Sequence, residues 1–370
     1  MQAFGKNIYN CIIGIIMNKI IEEDIQYILN SDVDFQRFEN STVLITGANG
    51  MLASYIVMTL LYSNKFYNYN IKVIAIARNK SNFYKMFNDF IEDRNLIFIE
   101  LDIININEDI FKDFEIDYII HAASPSRTQQ FFQNPLDVIY PNVFSTDKLF
   151  SIAVKKNIKS FLYFSSCAIY GKVDSGYYAE DNYGSISPLD LINVYAESKR
   201  MGETLCKAYN TQYNVPTKIA RIAHTYGPTM DLYNDSRVFA EFVKSIVDGG
   251  GGGLVIKSDG KAKRAFCYIV DATIGFLKIL LEGKNGEAYN VSNNQGIISI
   301  IDLAKLLESM YPEKSLNVII ENENKSYRQL IDSLSNYYVD TKKLEKLNWK
   351  PNYTIKEGFK RCIDYFNSKK

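Results

Sequence analysis

Residues 42 to 61, Thr-Val-Leu-Ile-Thr-Gly-Ala-Asn-Gly-Met-Leu-Ala-Ser-Tyr-Ile-Val-Met-Thr-Leu-Leu, constrain this chain more than any other stretch. Val43, Leu44 and Ile45 form the short apolar run required of a strand buried on both faces. Gly47 and Gly50 permit a tight turn with close backbone approach. Leu52, Ile56, Leu60 and Leu61 then recur at helical spacing. Strand, glycine turn and helix in this order set amide N–H groups and a helix N-terminus against a pyrophosphate. Ala53 takes the third small position and still lets helix and strand pack closely. Gly47, Asn49, Gly50, Met51 and Leu52 are therefore expected to bind a dinucleotide. The same pattern also serves a strand–turn–helix without a ligand, so its meaning depends on the rest of the chain.

That context is an alternation of strands and helices. Residues 72–77, 95–101, 117–122 and 160–165 read as further strands, with helical stretches between them. Such alternation implies right-handed crossovers and a parallel sheet covered on both faces. The expected fold class is α/β: a Rossmann-type doubly wound parallel sheet with a smaller C-terminal α/β substrate-binding region. The expected division is an N-terminal helical extension over 1–40, a dinucleotide-binding domain over 41–225, and a mainly substrate-binding part over 226–370, some of which returns to the sheet. The glycine run 249–253 precedes an apolar Leu254-Val-Ile rather than a helix, so it reads as a turn and not as a phosphate loop.

Tyr195-Ala-Glu-Ser-Lys199 adds chemistry. Positions i and i+4 share a helix face, so Tyr195 and Lys199 project side by side. A phenol beside an ammonium group is suited to carrying a proton, since the positive charge favours the phenolate. Ser166 lies upstream, at the end of a strand.

Composition narrows the partners. Formal net charge is zero with no long like-charge run, which argues against nucleic acid or an anionic membrane surface. The 27 Tyr and 22 Phe are dispersed and read as core and pocket lining. Five cysteines without a C-x-x-C and only two histidines, His121 and His224, make a metal site improbable and suit a reducing cytoplasm. The apolar run 11–17 is too short to span a bilayer. Residues 8–30 are expected to form one or two helices on the outside of the main domain.

Ligands of doubly wound sheets bind at the carboxyl ends of the strands. The second strand ends Ile76-Ala77-Arg78, without the acidic residue that would hold a ribose 2′-hydroxyl. Arg78 instead suits a 2′-phosphate, which leans toward NADP over NAD. Asp102, after the third strand, is placed to accept from an adenine amino group. His121-Ala122-Ala123-Ser124 supplies small residues beside the cofactor.

Taken together, these residues resemble an extended short-chain dehydrogenase/reductase of the NAD-dependent epimerase/dehydratase family, in its nucleotide-sugar-modifying branch. The resemblance spans about 41 to 368. It rests on Gly47-x-x-Gly50-x-x-Ala53, Asp102-Ile103, His121-Ala-Ala-Ser124, Asn142-x-x-x-Thr146 and Ser165-Ser166-Cys-Ala-Ile-Tyr170-Gly171. It continues through Tyr195/Lys199, Arg221-x-x-x-Thr225-Tyr226-Gly227-Pro228, Arg264-Ala-Phe-Cys-Tyr268-Ile-Val-Asp271, Leu347-Asn-Trp349-Lys-Pro351 and Glu357-Gly358. The stretches 180–209 and 221–242 look most like UDP-glucuronate decarboxylases.

The resemblance implies NAD or NADP as cofactor, with Ile103, Asn142 and Ser165 added to the residues that hold it. It implies a nucleotide-diphosphate sugar as substrate, transient oxidation at C4, and a homodimer with the Tyr195 helix in an intersubunit bundle. Tyr195 would take the hydroxyl proton, Lys199 would lower the tyrosine pKa and hold the nicotinamide ribose, and Ser166 would orient the sugar oxygen. Arg264 would bind the diphosphate, assisted by Arg237, with Arg328 on the far side of the nucleotide.

Three positions depart from the pattern. Dehydratases carry Asp-Glu directly after the serine, and decarboxylases a Glu two positions after it. This chain has Cys167 and Ala168, neither of which replaces a carboxylate. His224 stands where the family has Asn, as a donor to phosphate or as an acid/base near the sugar. A 4-epimerase needs no further acid or base and is the expected activity. A 4-dehydrogenase or 4-ketoreductase, a decarboxylase or dehydratase, and a catalytically silent cofactor-binding regulator are the alternatives.

Overall fold

A computed structural model describes residues 17–125, 128–173, 175–321 and 338–370. In chain order the first half gives α1 (Lys19–Leu29), β1 (Thr42–Thr46), α2 (Met51–Tyr67), β2 (Lys72–Ala77), α3 (Lys80–Met86), β3 (Leu96–Glu100), β4 (Tyr118–His121), α4 (Thr128–Gln133), α5 (Pro135–Asn142), α6 (Phe144–Lys156) and β5 (Ser160–Ser166). The second half gives β6 (Tyr177–Tyr178), α7 (Val194–Tyr213), β7 (Thr217–Ile222), β8 (His224–Tyr226), α8 (Val238–Val247), β9 (Leu254–Ile256), β10 (Lys263–Tyr268), α9 (Ile269–Glu282) and β11 (Glu287–Val291). Later come β12 (Ile297–Ser299), α10 (Ile300–Met310), β13 (Val318–Ile320), β14 (Tyr338–Val339) and a C-terminal helix, Ile355–Asn367.

Seven strands form one sheet in the order β3-β2-β1-β4-β5-β7-β11, and every pairing in it is parallel. This is the doubly wound α/β fold, and its strand order reverses between β1 and β4. The strands are buried on both faces because alternate side chains feed two cores. Val43 and Ile45 join the core that includes α2 and α9, while Leu44 joins the one that includes Phe150, Phe161 and Cys206. β11, far down the chain, returns to the sheet beside β7. The remaining strands form smaller sheets, β8-β10-β12, β9-β13 and β6-β14. The glycine run leads directly into β9, as its reading as a turn requires.

Helix α1 covers α2 and α9 with Ile21, Ile25 and Ile28, all buried. Asp24 on the same face is fully buried and accepts from Tyr55, Tyr268 and Arg361 at 2.8, 2.7 and 2.7 Å. A carboxylate enclosed this way is stabilised only by such partners. The extension is therefore keyed into the body by a polar clasp, beyond the apolar face expected of it. The part of that expectation covering 8–16 lies outside the described residues. Among the described residues, no helix is long and apolar enough to cross a membrane.

Candidate active site

A cavity of about 870 Å³ opens at the carboxyl ends of the strands. Its floor begins at the β1 turn. Gly47 adopts φ +64°, and a Cβ there would sit 2.8 Å from the Ala123 backbone beyond β4. Only glycine fits that approach at that dihedral angle. Behind it, Thr46 Oγ1 accepts from the Ala123 amide at 3.1 Å and lies 2.8 Å from His121 Nδ1, whose Nε2 is 3.1 Å from the Pro141 carbonyl. Burial holds His121 neutral, at about 3. Helix α2 starts at Gly50 with no side-chain cap, and Gly50, Met51, Leu52 and Ala53 line the cavity. Uncapped amides in the first turn and the positive end of the helix dipole suit a pyrophosphate. Ala122, Ser124, Ser165 and Ser166 line the same cavity.

Tyr195 and Lys199 come from the first turns of α7, and both face the cavity. Ser166 hydrogen-bonds the Tyr195 phenol, and the ring stacks on Phe131 at 5.4 Å with planes 6° apart. Lys199 is 2% exposed, and its Nζ donates to the Phe164 carbonyl at 2.6 Å. The ammonium lies over the faces of Tyr163 and Tyr195, at 4.8 and 5.8 Å. This corrects the expected electrostatics. Burial raises the Tyr195 pKa, and the groups that pull it down are Ser166 and then Arg237, not Lys199. The Phe164 carbonyl on β5 takes one of the ammonium's three donors.

The Lys199 burial has a pH consequence. Burial lowers its pKa to about 7, with Cys206 and Glu203 opposing. From about 7 up to the ordinary lysine value near 10.4, the native state has released a proton that the unfolded chain keeps. Stability therefore rises with pH across that window and levels off below about 7, where both states hold the proton. Lys199→Met is expected to flatten the rise in denaturant titrations from pH 6 to 10. Parallel profiles for variant and parent would refute the assignment.

Behind the cavity wall, α7 is held by a buried ion pair. Arg221 on β7 donates Nη2 to Glu203 Oε2 at 2.8 Å and Nε to Oε1 at 3.1 Å. Its Nη1 reaches the Tyr170 hydroxyl at 3.0 Å and the Glu180 carbonyl at 2.8 Å. Ser165 donates to Glu203 Oε1, and Tyr170 donates to Asn290 on β11 at 2.6 Å. Sequence reasoning assigned neither Arg221 nor Glu203 a role, although Glu203 stands four residues after Lys199 on one helix face. Gly202 completes the fit: a Cβ there would lie 2.1 Å from the Tyr163 hydroxyl, so α7 seats directly on β5.

One part of the cavity lining is basic. Arg237, Arg264, Lys257 and His224 line it together, Lys257 being one that sequence reasoning missed. Arg237 pairs with Asp235 and lies 4.7 Å over Phe239. Burial and then the charges of Arg264 and Arg237 push the His224 pKa well down, so it stands as a neutral imidazole. Cys167 lines the wall with its thiol pushed up to about 12 by burial.

Other expected residues fall elsewhere. Asn142 does not line the cavity. It is fully buried, and its Nδ2 donates to the Val138 carbonyl and to Ser198 on α7 at 3.0 Å, which ties α5 to α7. Ile103 is buried in the core. Ala123 contributes backbone behind Gly47, and Asn49 lies in the turn outside the lining. Arg78 is 71% exposed beyond β2 and sits 3.9 Å from Asp102, which also caps the following turn through the Ile104 amide. Arg328 lies outside the described residues.

Residues 43–292 match the model of the NAD dependent epimerase/dehydratase family. The chain belongs to that family. Its match to human dTDP-D-glucose 4,6-dehydratase is 28% identical over 334 residues, covering 88% of this chain and 89% of that protein. Its match to UDP-glucuronic acid decarboxylase 6 of Arabidopsis thaliana is 28% identical over 322 residues, covering 86% and 87%. A solved UDP-glucuronic acid 4-epimerase of Bacillus cereus, in complex with UDP-glucuronic acid and NAD, shares the fold with a TM-score of 0.72 at 23% identity, over 89% of this chain and all of that one. Within an epimerase/dehydratase chain, the turn at Gly47 and the helix carrying Tyr195 occupy the places where the fold gathers ligands.

Proposed function

We propose that this protein binds NAD or NADP at the Gly47 turn, takes a nucleotide-diphosphate sugar at the basic end of the cavity, and inverts the sugar at C4. One observation carries the reading: among the described residues, no Asp or Glu lines the cavity that holds Tyr195, Ser166 and Lys199. Dehydration and decarboxylation need a further acid or base beside the sugar, and Cys167 and Ala168 occupy the adjacent positions.

The nicotinamide ring, when bound, supplies a reversible hydride acceptor. Tyr195 removes the C4 hydroxyl proton while Ser166 holds the same oxygen. Lys199 steadies the ring face of Tyr195 and offers its remaining N–H groups to a ribose. Arg237 and Arg264 take the diphosphate, and neutral His224 contributes a hydrogen bond rather than a charge. After the ketone turns over in the cavity, Tyr195 returns its proton to the same oxygen on a carbon of opposite configuration. No second acid is required.

A panel of UDP-, GDP-, CDP- and dTDP-sugars, followed by mass spectrometry and sugar analysis, tests this. Altered configuration at unchanged mass is expected. Loss of water or of carbon dioxide would overturn it.

Arg78 supports a second reading, 4-oxidation or 4-keto reduction with exchangeable NADP. If Arg78 reads a 2′-phosphate, Arg78→Ala weakens NADP binding about tenfold, or about 1.4 kcal/mol, and leaves NAD unchanged. Equal loss for both dinucleotides in a binding titration would remove Arg78 from cofactor selection. Exposed Met201 on α7, with Leu136 and Phe144 on α5 and α6, supports a homodimer through these helices.

A further inference from the structure

At the opposite edge of the sheet, where β4, β5 and β7 begin, a second pocket of about 310 Å³ is lined by Arg37, Lys159, Lys218, Ser160 and Tyr118, with the last turn of α9 as its wall. Lys218 is 5% exposed. Its Nζ donates to Ser160 Oγ at 2.8 Å, and among the described residues no carboxylate lies within ion-pair distance of it. Arg37 arrives from the segment before β1 and donates to the Leu281 carbonyl, likewise with no carboxylate partner among the described residues. Lys159 is neutralised by Asp117 at 3.0 Å. A buried cation and an exposed one thus share one concave site, close enough that Arg37 adds to burial in lowering the Lys218 pKa to about 8.

Burying an ammonium group with one hydroxyl partner is costly, and a like charge beside it adds to the cost. The carboxyl end of α9 offsets part of this, since its terminal carbonyls accept from Ser160 and Arg37. A helix terminus carries only about half a negative charge, against two positive ones. A doubly charged anion would balance the remainder.

We infer that this pocket is a second binding site, for a tetrahedral phosphate-type anion held between Arg37 and Lys218. It stands on the far side of the sheet from the catalytic cavity and is independent of the reaction assigned there. Because Arg37 precedes β1, an anion bound here ties the N-terminal extension to the sheet.

The test is calorimetric titration of the full chain with inorganic phosphate, a sugar 1-phosphate and a nucleoside 5′-monophosphate, against chloride at matched ionic strength. Wild type is expected to bind at least one of them at a site that Lys218→Met weakens at least tenfold and Arg37→Ala weakens measurably. Binding that persists in both variants belongs to the basic part of the catalytic cavity, where Arg264 and Arg237 lie. The tightest of the three probes identifies the source of the phosphate group. Lys218→Met replaces a buried charge by an apolar chain of similar length, and Arg37 is exposed, so at least one variant keeps the fold. Equal binding by wild type and both variants would overturn the proposal. A stability loss in Lys218→Met without any anion binding by wild type would show that these cations only cap α9.

Discussion

Tyr195→Phe is expected to cut turnover about 10²- to 10⁴-fold, the usual range for losing a positioned acid/base, while leaving the binding of dinucleotide and nucleotide sugar nearly intact. The geometry explains why the effect separates chemistry from structure. Phenylalanine keeps the stack on Phe131 and the ring face beneath Lys199. It removes only the hydroxyl that Ser166 holds, worth about 1 kcal/mol of stability. Steady-state kinetics with the substrate found in the sugar panel measures the first quantity, and calorimetry with NAD and NADP the second. Turnover at the parental rate would sink the assignment of Tyr195. If the parent itself binds cofactor and turns over no sugar, the catalytically silent regulator replaces the enzyme.

Much of this site was legible in the sequence because its parts are local. The β1 run, Gly47, Gly50 and the start of α2 lie within twenty consecutive residues, and period and turn chemistry place them without help from the rest of the chain. Tyr195 and Lys199 are one helical turn apart, so their shared face follows from geometry alone. What depends on tertiary contact was not legible. The direction of the Lys199 ammonium is set by the Phe164 carbonyl on β5. Asn142 is buried and donates to Ser198 on α7, a contact between helices that spacing alone does not show. β11 joins the sheet 65 residues after β7 ends, and nothing in its own pattern says which strand it will meet. The pairing of Glu203 with Arg221 crosses from helix to strand in the same way. Spacing marks Glu203 as facing inward, and only the fold supplies its partner.

That pair carries the other large expectation, a loss of about 3–5 kcal/mol of stability in Arg221→Met. Arg221 is 3% exposed and Glu203 12%, so removing the guanidinium strands a carboxylate where little water reaches it. The Glu180 carbonyl and the Tyr170 hydroxyl lose a donor at the same time. Replacing both charged partners with apolar side chains removes the stranded charge as well as the bond, and such swaps are often close to neutral. Arg221→Met combined with Glu203→Leu is therefore expected to recover at least half of the single-variant loss in urea denaturation. Activity should not recover with it. Glu203 is one turn beyond Lys199 on α7, and through Ser165 and Arg221 it fixes that helix against the strands that carry Ser166 and line the cavity. The double variant should fold and still turn over slowly, with kcat reduced more than KM, because the displaced helix carries Tyr195 rather than the diphosphate contacts. A single-variant loss below about 1 kcal/mol, in the range of an exposed ion pair, would mean that the network is solvated and does not position the helix.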